Sequence, residues 1–290
     1  ILLIRIESAF NLESTLDSGQ AFRWKNRSDY FEGVVDKSII LIKQISDGIE
    51  FESFPQSEKE LKPQLQYYLS LHDDLEIILK SIAVDRNIQS YIDQYKGMRI
   101  LKQDPWECLI SFICSSNSNV LRVKQNVEDM SAAYGEKIEA FGSIRHAFPS
   151  PKQLENASTP ILRQLKLGYR AEYIHEAVKL VSQDVINPWS LLEEPYEEAL
   201  MTLTKIPGVG DKVANCIMLF SMGKDDAFPV DVWIDRIIKE LYPEELDDYI
   251  QRKFLNQLAN KKRTKNRLKS PSINRTIIKD WAREYFGDYA

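Results

Sequence analysis

Lys212 and Asp231 are the two residues of this 290-residue chain whose types and positions best fit covalent chemistry. Lys212 falls in the first turn of a predicted helix, where the helix dipole disfavours the protonated amine and makes the neutral, nucleophilic form easier to reach. Asp231 lies in Phe-Pro-Val-Asp-Val-Trp (228–233), where it is the expected N-cap of the next helix and stays ionised. An amine beside a fixed carboxylate suits cleavage of an N-glycosidic bond, because positive charge develops on the sugar in the transition state.

The turn before Lys212 predicts where such a reaction would take place. Two short helices joined by Lys-Ile-Pro-Gly-Val-Gly (205–210) predict a helix–hairpin–helix over about residues 197–222. Gly208 and Gly210 allow the backbone to approach a phosphate, and the first N–H groups of the second helix can bind it, so DNA contact would be independent of sequence. Each feature also has an ordinary alternative: a plain interhelical turn, a surface lysine and an aspartate that only caps a helix.

Two domains must position these residues. Short apolar runs at 1–6, 21–24, 30–35 and 39–42 predict strands of an antiparallel meander, and from Glu58 the apolar period lengthens to that of a helix. Beyond residue 97 the segments are amphipathic helices separated by prolines. We therefore predict an α+β protein, with an N-terminal antiparallel sheet domain with helices (1–96) and an all-helical domain (97–290) that carries the hairpin.

Charge and cysteine content narrow the function classes. The net charge of −5 argues against a generally basic nucleic-acid coat, but residues 261–279 hold eight basic and no acidic residues and are either a solvated face or a DNA-backbone contact. The three cysteines exclude a four-cysteine iron–sulfur or metal site within the chain. The sequence shows no signal peptide or membrane span, so we expect an intracellular protein, in the cytoplasm or nucleoid, or in a nucleus.

Five ordered motifs carry a resemblance to a known family. They are Ile-Pro-Gly-Val-Gly-Asp-Lys-Val-Ala-Asn-Cys at 206–216, Pro-Val-Asp-Val at 229–232, Ser-Gly-Gln-Ala-Phe-Arg-Trp at 18–24, Gln-Asp-Pro-Trp-Glu-Cys-Leu-Ile-Ser-Phe-Ile-Cys-Ser-Ser-Asn at 103–117, and Leu-Gly-Tyr-Arg-Ala at 167–171. Together they resemble the 8-oxoguanine DNA glycosylase/AP lyase family, within the helix–hairpin–helix DNA glycosylase superfamily. The resemblance spans nearly the whole chain.

The resemblance implies a bifunctional enzyme that flips 8-oxoguanine out of duplex DNA opposite cytosine, excises it through a lysine Schiff base, and nicks the strand by β-elimination. By family similarity Lys212 is the nucleophile and Asp231 its electrostatic partner. The family also implies residues that bind the DNA around the extruded base: Asn117 in the vacated gap, Arg122 and Arg170 on the orphaned cytosine, and Tyr169 as a wedge beside it.

Base recognition and cofactors also follow from the resemblance. The carbonyl of Gly19 would accept the N7 proton that distinguishes 8-oxoguanine from guanine, and Cys216 would line the base pocket. The family implies no redox cofactor and no iron–sulfur cluster. It implies a structural monovalent cation on three backbone carbonyls of the hairpin, those of Thr204, Ile206 and Val209.

Two departures and two alternatives stay open. Ser118 stands where vertebrate members have a second Asn, and Trp233 stands where many members have His, which puts phosphate contact there in doubt. The family usually continues past the sequence that ends here at Ala290, into a helix with further pocket residues.

The alternatives are a related glycosylase for another oxidised or alkylated base, and a non-catalytic helix–hairpin–helix DNA-binding protein. The expected partner is double-stranded DNA containing 8-oxoguanine, bound by a monomer.

Overall fold

The computed structural model describes residues 1–260 and 273–290, and it confirms an α+β architecture in which an antiparallel sheet precedes a helical region. The strands are β1 (Leu2–Arg5), β2 (Lys25–Asn26), β3 (Phe31–Val35), β4 (Ser38–Ile45), β5 (Gly48–Phe54), β6 (Lys137–Ala140) and β7 (Ser143–His146). The helices are α1 (Leu12–Leu16), α2 (Glu58–Tyr68), α3 (Leu75–Ile82), α4 (Arg86–Gln94), α5 (Pro105–Ser115), α6 (Val120–Tyr134), α7 (Pro151–Leu154), α8 (Thr159–Gln164), α9 (Arg170–Ser182), α10 (Tyr196–Leu203), α11 (Asp211–Ser221), α12 (Val232–Leu241), α13 (Pro243–Asn260) and α14 (Arg275–Phe286).

The N-terminal sheet has the strand order β1-β5-β4-β3-β2, and all its pairs are antiparallel. Alternate side chains of β4 and β5 point to one face, where Ile42 and Phe51 pack in one core with Leu65 of α2. The sequence did not predict β5, whose alternating glutamates mask its pattern. The predicted strand at 21–24 is wrong: this segment is irregular, and all four of its side chains are buried, so a short apolar run alone did not distinguish it from a buried strand.

The second region is not entirely helical, which corrects the sequence-based expectation. Strands β6 and β7 form a hairpin between α6 and α7. Ile138 of this hairpin and Ala147 just after it pack against Val34 and Ile39, on the second face of the N-terminal sheet. The hairpin covers apolar side chains on that sheet face. Because this contact joins residues about 100 positions apart, a local sequence pattern does not reveal it.

A buried ionic cluster also joins the sheet to the helices. Arg145 of β7 donates to Glu32 of β3 at 2.7 Å and to Glu128 of α6 at 3.0 Å, and Arg23 donates to the same Glu128 oxygen at 2.9 Å. Arg23, Glu32 and Arg145 are each almost completely buried. Because removing one partner would leave a buried charge unpaired, the cluster fixes the relative position of the motif at 18–24 and the helical region.

Glu107 of α5 lies at the edge of this cluster and predicts a pH effect on stability. Burial raises the pKa of its carboxyl to about 7, although Arg23, 4.0 Å away, opposes the shift. At a pH between about 4.5 and 7, this carboxyl is mostly protonated in the folded state and mostly ionised in the unfolded chain. The ionised unfolded chain is therefore favoured progressively over this range, so the free energy of unfolding is highest at low pH and falls as the pH rises from about 4.5 to 7.

We expect Glu107→Gln to remove this loss. Relative to the parent, the variant should gain about 2–3 kcal/mol in free energy of unfolding between pH 5 and pH 8. Urea unfolding of both proteins at the two pH values measures the difference, and Glu155→Gln, on an exposed side chain, is the matched control. A pH-independent difference between parent and Glu107→Gln would contradict the expectation.

The C-terminal helices form a separate apolar cluster. Trp281 of α14 packs with Tyr242 and with apolar residues of α12 and α13, and Ile88 of α4 packs against the same cluster. Asp85, the N-cap of α4, accepts hydrogen bonds from the hydroxyls of Tyr242 and Tyr285. Helix α4, which precedes the predicted boundary at residue 96, thus contacts C-terminal elements, and the boundary stays a prediction. Within the described ranges, none of the helices is both long and apolar enough to cross a membrane.

Candidate active site

Helices α10 and α11 and the turn between them form the predicted helix–hairpin–helix. Gly208 has φ +84°, and a Cβ at this position would lie 2.5 Å from the ring of Tyr173, so only glycine fits. Gly210 is the N-cap of α11 and has no side chain to cap the first N–H groups, which are the groups that bind a phosphate in such a turn. Asn215 holds the two helices together, since it accepts from the Tyr196 hydroxyl and donates to the Asp211 carbonyl.

Lys212 is the second residue of α11 and is half-buried. Its ammonium lies 5.5 Å from the ring centroid of Phe112 on α5, and that ring packs edge-on against Phe22 of the 18–24 motif. Cys216 follows one helical turn later. Burial raises the pKa of the Cys216 thiol to about 11, although the neighbouring Lys212 lowers it, so the thiol is neutral at physiological pH. The amine therefore has an apolar wall on its inner side, formed by the Phe112 ring.

Asp231 is the N-cap of α12, as the sequence predicted. One carboxylate oxygen accepts from the backbone N–H groups of Trp233 at 2.8 Å and of Ile234 at 2.9 Å. Two such bonds hold the carboxylate in place. Lys212 and Asp231 line one cleft of about 700 Å³, so the structure brings together the two residues for which the sequence predicted chemistry.

The loop between α5 and α6 forms another part of the cleft lining. Asn117 lines it with φ +50°, and Arg170 of α9 holds the loop by donating to the carbonyls of Ser116 and Asn117, both at 2.7 Å. The Tyr169 ring centroid lies 4.8 Å from the guanidinium of Arg170, and the Tyr169 hydroxyl donates to the Ser116 carbonyl. These contacts place Tyr169, the predicted wedge, next to the loop that carries Asn117, the predicted gap-filling residue.

The two arginines predicted to read the cytosine differ in their surroundings. Arg122 lines the cleft from the first turn of α6 and is exposed. Among the residues that the structure describes, its guanidinium makes no ion pair and no hydrogen bond. Arg170 is 6% exposed and is bound to the loop. Arg122 can therefore meet a base directly, whereas Arg170 already holds two carbonyls.

Gly19 and Cys216 lie outside the cleft lining. Gly19 has φ +86°, in the left-handed region that favours glycine. The next residue, Gln20, is buried; its amide donates to the carbonyls of Thr15 and Arg99, and its oxygen accepts from Leu101. This anchoring holds the loop that carries the Gly19 carbonyl in a fixed position.

The hairpin presents a second, shallower surface beside the cleft. A depression of about 510 Å³ is lined by the turn residues together with Tyr169 and Tyr173. In the hairpin, the Ile206 carbonyl accepts from the N–H of Val209 at 3.0 Å. Among the described residues, the carbonyls of Thr204 and Val209 accept no backbone N–H, so they are available as oxygen ligands of a cation. The same residues contain no group of three or more His, Cys, Asp or Glu side chains placed to hold a metal.

The basic stretch at 261–279 is only partly described. Residues 261–272 lie outside the described ranges, so their DNA contact stays a prediction. For Lys279 the expectation is wrong: its side chain is 5% exposed and donates to Asp211, the first residue of α11, at 2.7 Å. Its ion-pair partner lies 68 residues away in the chain, so counting charges along 261–279 did not reveal that Lys279 is buried.

Comparison with known proteins identifies the family. A family model described as the 8-oxoguanine DNA glycosylase N-terminal domain matches residues 2–109, and one described as the HhH-GPD superfamily of base excision DNA repair proteins matches residues 110–261. A probable N-glycosylase/DNA lyase of Methanothermobacter thermautotrophicus is 30% identical over 81% of this chain and 83% of the relative. This chain belongs to the 8-oxoguanine DNA glycosylase family.

Further members of the family agree in sequence and in structure. The N-glycosylase/DNA lyase of Saccharomyces cerevisiae is 30% identical over 81% of this chain and 69% of the relative. The crystal structure of Clostridium acetobutylicum 8-oxoguanine glycosylase/lyase, in complex with double-stranded DNA containing cytosine opposite 8-oxoguanine, superposes with a TM-score of 0.83 at 28% identity. The match covers 100% of this chain and 93% of that one.

This glycosylase-family cleft also contains residues that sequence reasoning missed or left unexplained. Arg275, the first residue of α14, lines the cleft; its only sequence signal was membership of the basic stretch. Trp233 lines the cleft with its side chain 67% exposed. The Ser118 hydroxyl is buried in the α5–α6 loop without a hydrogen-bond partner among the described residues.

Proposed function

We propose that this protein is a bifunctional DNA repair enzyme that excises 8-oxoguanine opposite cytosine from duplex DNA and then nicks the abasic strand. The observation that supports this most strongly is the single cleft that contains both Lys212 and the capped carboxylate of Asp231, beside a hairpin whose backbone can bind phosphate. Membership of the 8-oxoguanine DNA glycosylase family identifies the substrate class.

The reaction begins at the sugar of the extruded nucleotide. The neutral amine of Lys212 attacks C1′, the C1′–N9 bond breaks, and its electron pair leaves with the base, which takes up a proton. Asp231 stabilises the positive charge that develops on the sugar. Loss of a proton from nitrogen and opening of the sugar ring give a Schiff base. Removal of a C2′ proton then expels the 3′ phosphate by β-elimination, and water hydrolyses the imine to restore Lys212.

Lesion selection depends on a hydrogen-bond acceptor and an apolar wall. The carbonyl of Gly19 accepts the N7 proton of 8-oxoguanine and repels the unprotonated N7 of guanine. Cys216, neutral and buried one turn from Lys212, lines the base pocket. Buried anchoring of Gln20 supports this assignment, because an acceptor that distinguishes one proton must be held in place.

Each step uses only an amine, a carboxylate and water, so we propose that no redox cofactor or iron–sulfur cluster takes part. A monovalent cation on the carbonyls of Thr204, Ile206 and Val209 would rigidify the hairpin; two of these carbonyls lack backbone partners among the described residues. We also propose that the protein acts as a monomer inside the cell, where its DNA substrate lies.

Excision from a panel of duplexes that vary the lesion and the opposite base tests the proposal. We expect fastest excision of 8-oxoguanine opposite cytosine, followed by strand nicking. Preferred excision of an alkylated base would support a related glycosylase instead, and binding without excision or nicking would support a non-catalytic DNA-binding protein.

Arg122 is expected to read the orphaned cytosine through N3 and O2. Because its guanidinium is exposed in the cleft, Arg122→Ala should keep the fold and lower the preference for cytosine over adenine by about 1–3 kcal/mol. The ratio of single-turnover excision rates opposite the two bases measures this. Lys124→Ala, a charge removed from the same helix outside the cleft, should leave the ratio unchanged. An unchanged ratio in Arg122→Ala would reject the assignment.

Arg170 is expected to contribute in two ways. Its guanidinium holds the Ser116 and Asn117 carbonyls, so Arg170→Ala should loosen the loop and lower thermal stability as well as cytosine preference. Cytosine preference that survives in Arg170→Ala, together with lowered stability, would leave Arg170 only the loop-holding role.

A further inference from the structure

The wall of the cleft formed by α12 and α14 carries two side chains without a part in the proposed chemistry. Trp233 is the second residue of α12, and its backbone N–H is already bound to Asp231. Arg275 is the first residue of α14 and is exposed. Within the described ranges Arg275 makes no ion pair and no side-chain hydrogen bond. Both residues line the same cleft as Lys212.

Neither side chain is explained by the fold. The apolar cluster under this wall uses Ile234 and Ile238 of α12, whereas the Trp233 ring is 67% exposed on the other face of the helix. A cation in the first turn of a helix is disfavoured by the helix dipole, so Arg275 does not stabilise α14. An exposed aromatic ring and a guanidinium with no partner among the described residues line one cleft with Lys212, which is the composition of a contact to the sugar–phosphate backbone.

The elements that carry the other cations indicate which strand this wall meets. Arg122 and Arg170 line the cleft from α6 and α9, with Asn117 of the α5–α6 loop, and they are expected to meet the intact strand and its cytosine. Lys212 and Asp231 must face C1′ of the extruded nucleotide. Trp233 follows Asp231 by two residues, and α12 contacts α14. The α12–α14 wall therefore adjoins Asp231 and, with it, the damaged strand.

We propose that Arg275 and Trp233 form a backbone subsite for the damaged strand, in which the Arg275 guanidinium binds a phosphate flanking the extruded nucleotide and the Trp233 indole packs on the adjoining deoxyribose. The subsite rests on the proposed function. It holds the sugar of the lesion against Lys212 while the base leaves the stack. Arg236, whose guanidinium lies 5.4 Å from the Trp233 ring centroid, orients the indole.

Equilibrium binding tests this subsite without catalysis. The probe is a duplex in which tetrahydrofuran, which has no base to excise, replaces the lesion. Arg275→Ala should bind it roughly tenfold more weakly, and the salt slope of binding should fall by about 1. Arg86→Ala is the matched control, because Arg86 is likewise an exposed first residue of a helix after an N-cap, on α4 and outside the cleft. It should bind as the parent does.

Single methylphosphonate substitutions identify the phosphate. In the parent protein, neutralising one of the two phosphates that flank the tetrahydrofuran should cause the same loss as Arg275→Ala, and the two changes together should cause no further loss. The subsite is rejected if Arg275→Ala binds as the parent does. It is also rejected if, at each of the two flanking phosphates, the loss caused by the methylphosphonate and the loss caused by Arg275→Ala multiply, because Arg275 then binds neither phosphate.

Trp233→Ala should weaken binding about three- to tenfold with an unchanged salt slope, because an apolar contact releases no counterion. Trp233→Phe should retain most of the affinity. Parental affinity in Trp233→Ala would reject the sugar contact. If the parent itself does not bind the tetrahydrofuran duplex more tightly than undamaged DNA, the proposed function fails, which is a separate outcome from failure of the subsite.

Discussion

Lys212→Gln is expected to abolish the Schiff base and to lower strand cleavage by roughly 10³-fold or more. Glutamine keeps a similar length and polarity but has no amine to attack C1′. Because Lys212 is half-buried at the cleft and makes no ion pair among the described residues, the substitution should leave the fold intact. Nicking of an 8-oxoguanine duplex, and trapping of the covalent adduct with borohydride, measure the two losses.

A second lysine provides the control for lost charge. Lys205 belongs to the hairpin surface and is exposed, but it does not line the cleft. Lys205→Gln should weaken DNA binding and still give the trapped adduct at saturating protein. Trapping at the parental rate in Lys212→Gln would mean that another amine is the nucleophile.

Asp231→Asn is expected to slow excision by roughly 10²- to 10³-fold, since it removes the charge that stabilises the developing positive sugar. Asparagine caps a helix about as well as aspartate, so the two hydrogen bonds from Trp233 and Ile234 can persist. Circular dichroism and thermal unfolding should therefore be close to those of the parent. The measurement is the single-turnover rate of base release.

Asp231→Ala separates the two functions of this carboxylate. It loses the cap as well as the charge, so it should lower stability by about 1 kcal/mol in addition to slowing excision. If Asp231→Asn released the base at the parental rate, Asp231 would be only a helix cap.

Local signals account for the parts of the site that the sequence predicted. The glycines at 208 and 210 mark the hairpin, and the spacing of Lys212 and Cys216 places them one turn apart on α11. The Asp231 cap follows from a carboxylate between a proline-containing segment and an amphipathic run. Each of these features is decided within a few residues of the chain, which is why sequence alone defines it.

Long-range contacts account for what the sequence did not predict. The β6–β7 hairpin covers Val34 and Ile39, which lie far earlier in the chain. Lys279 is buried because Asp211 lies beside it in space, and Arg275 reaches the cleft only because α14 packs against α12. Chain folding creates such pairs, and neither partner carries a local signal for the other.

Mapping the amino acid that carries the DNA adduct tests directly whether Lys212 is the nucleophile. The parent protein is incubated with an 8-oxoguanine:cytosine duplex, reduced with borohydride and digested, and the modified peptide is sequenced by mass spectrometry. Attack by the α11 amine predicts that the adduct lies on Lys212. An adduct on Lys205, on the N-terminal amine or on any other lysine would contradict the mechanism proposed for this cleft.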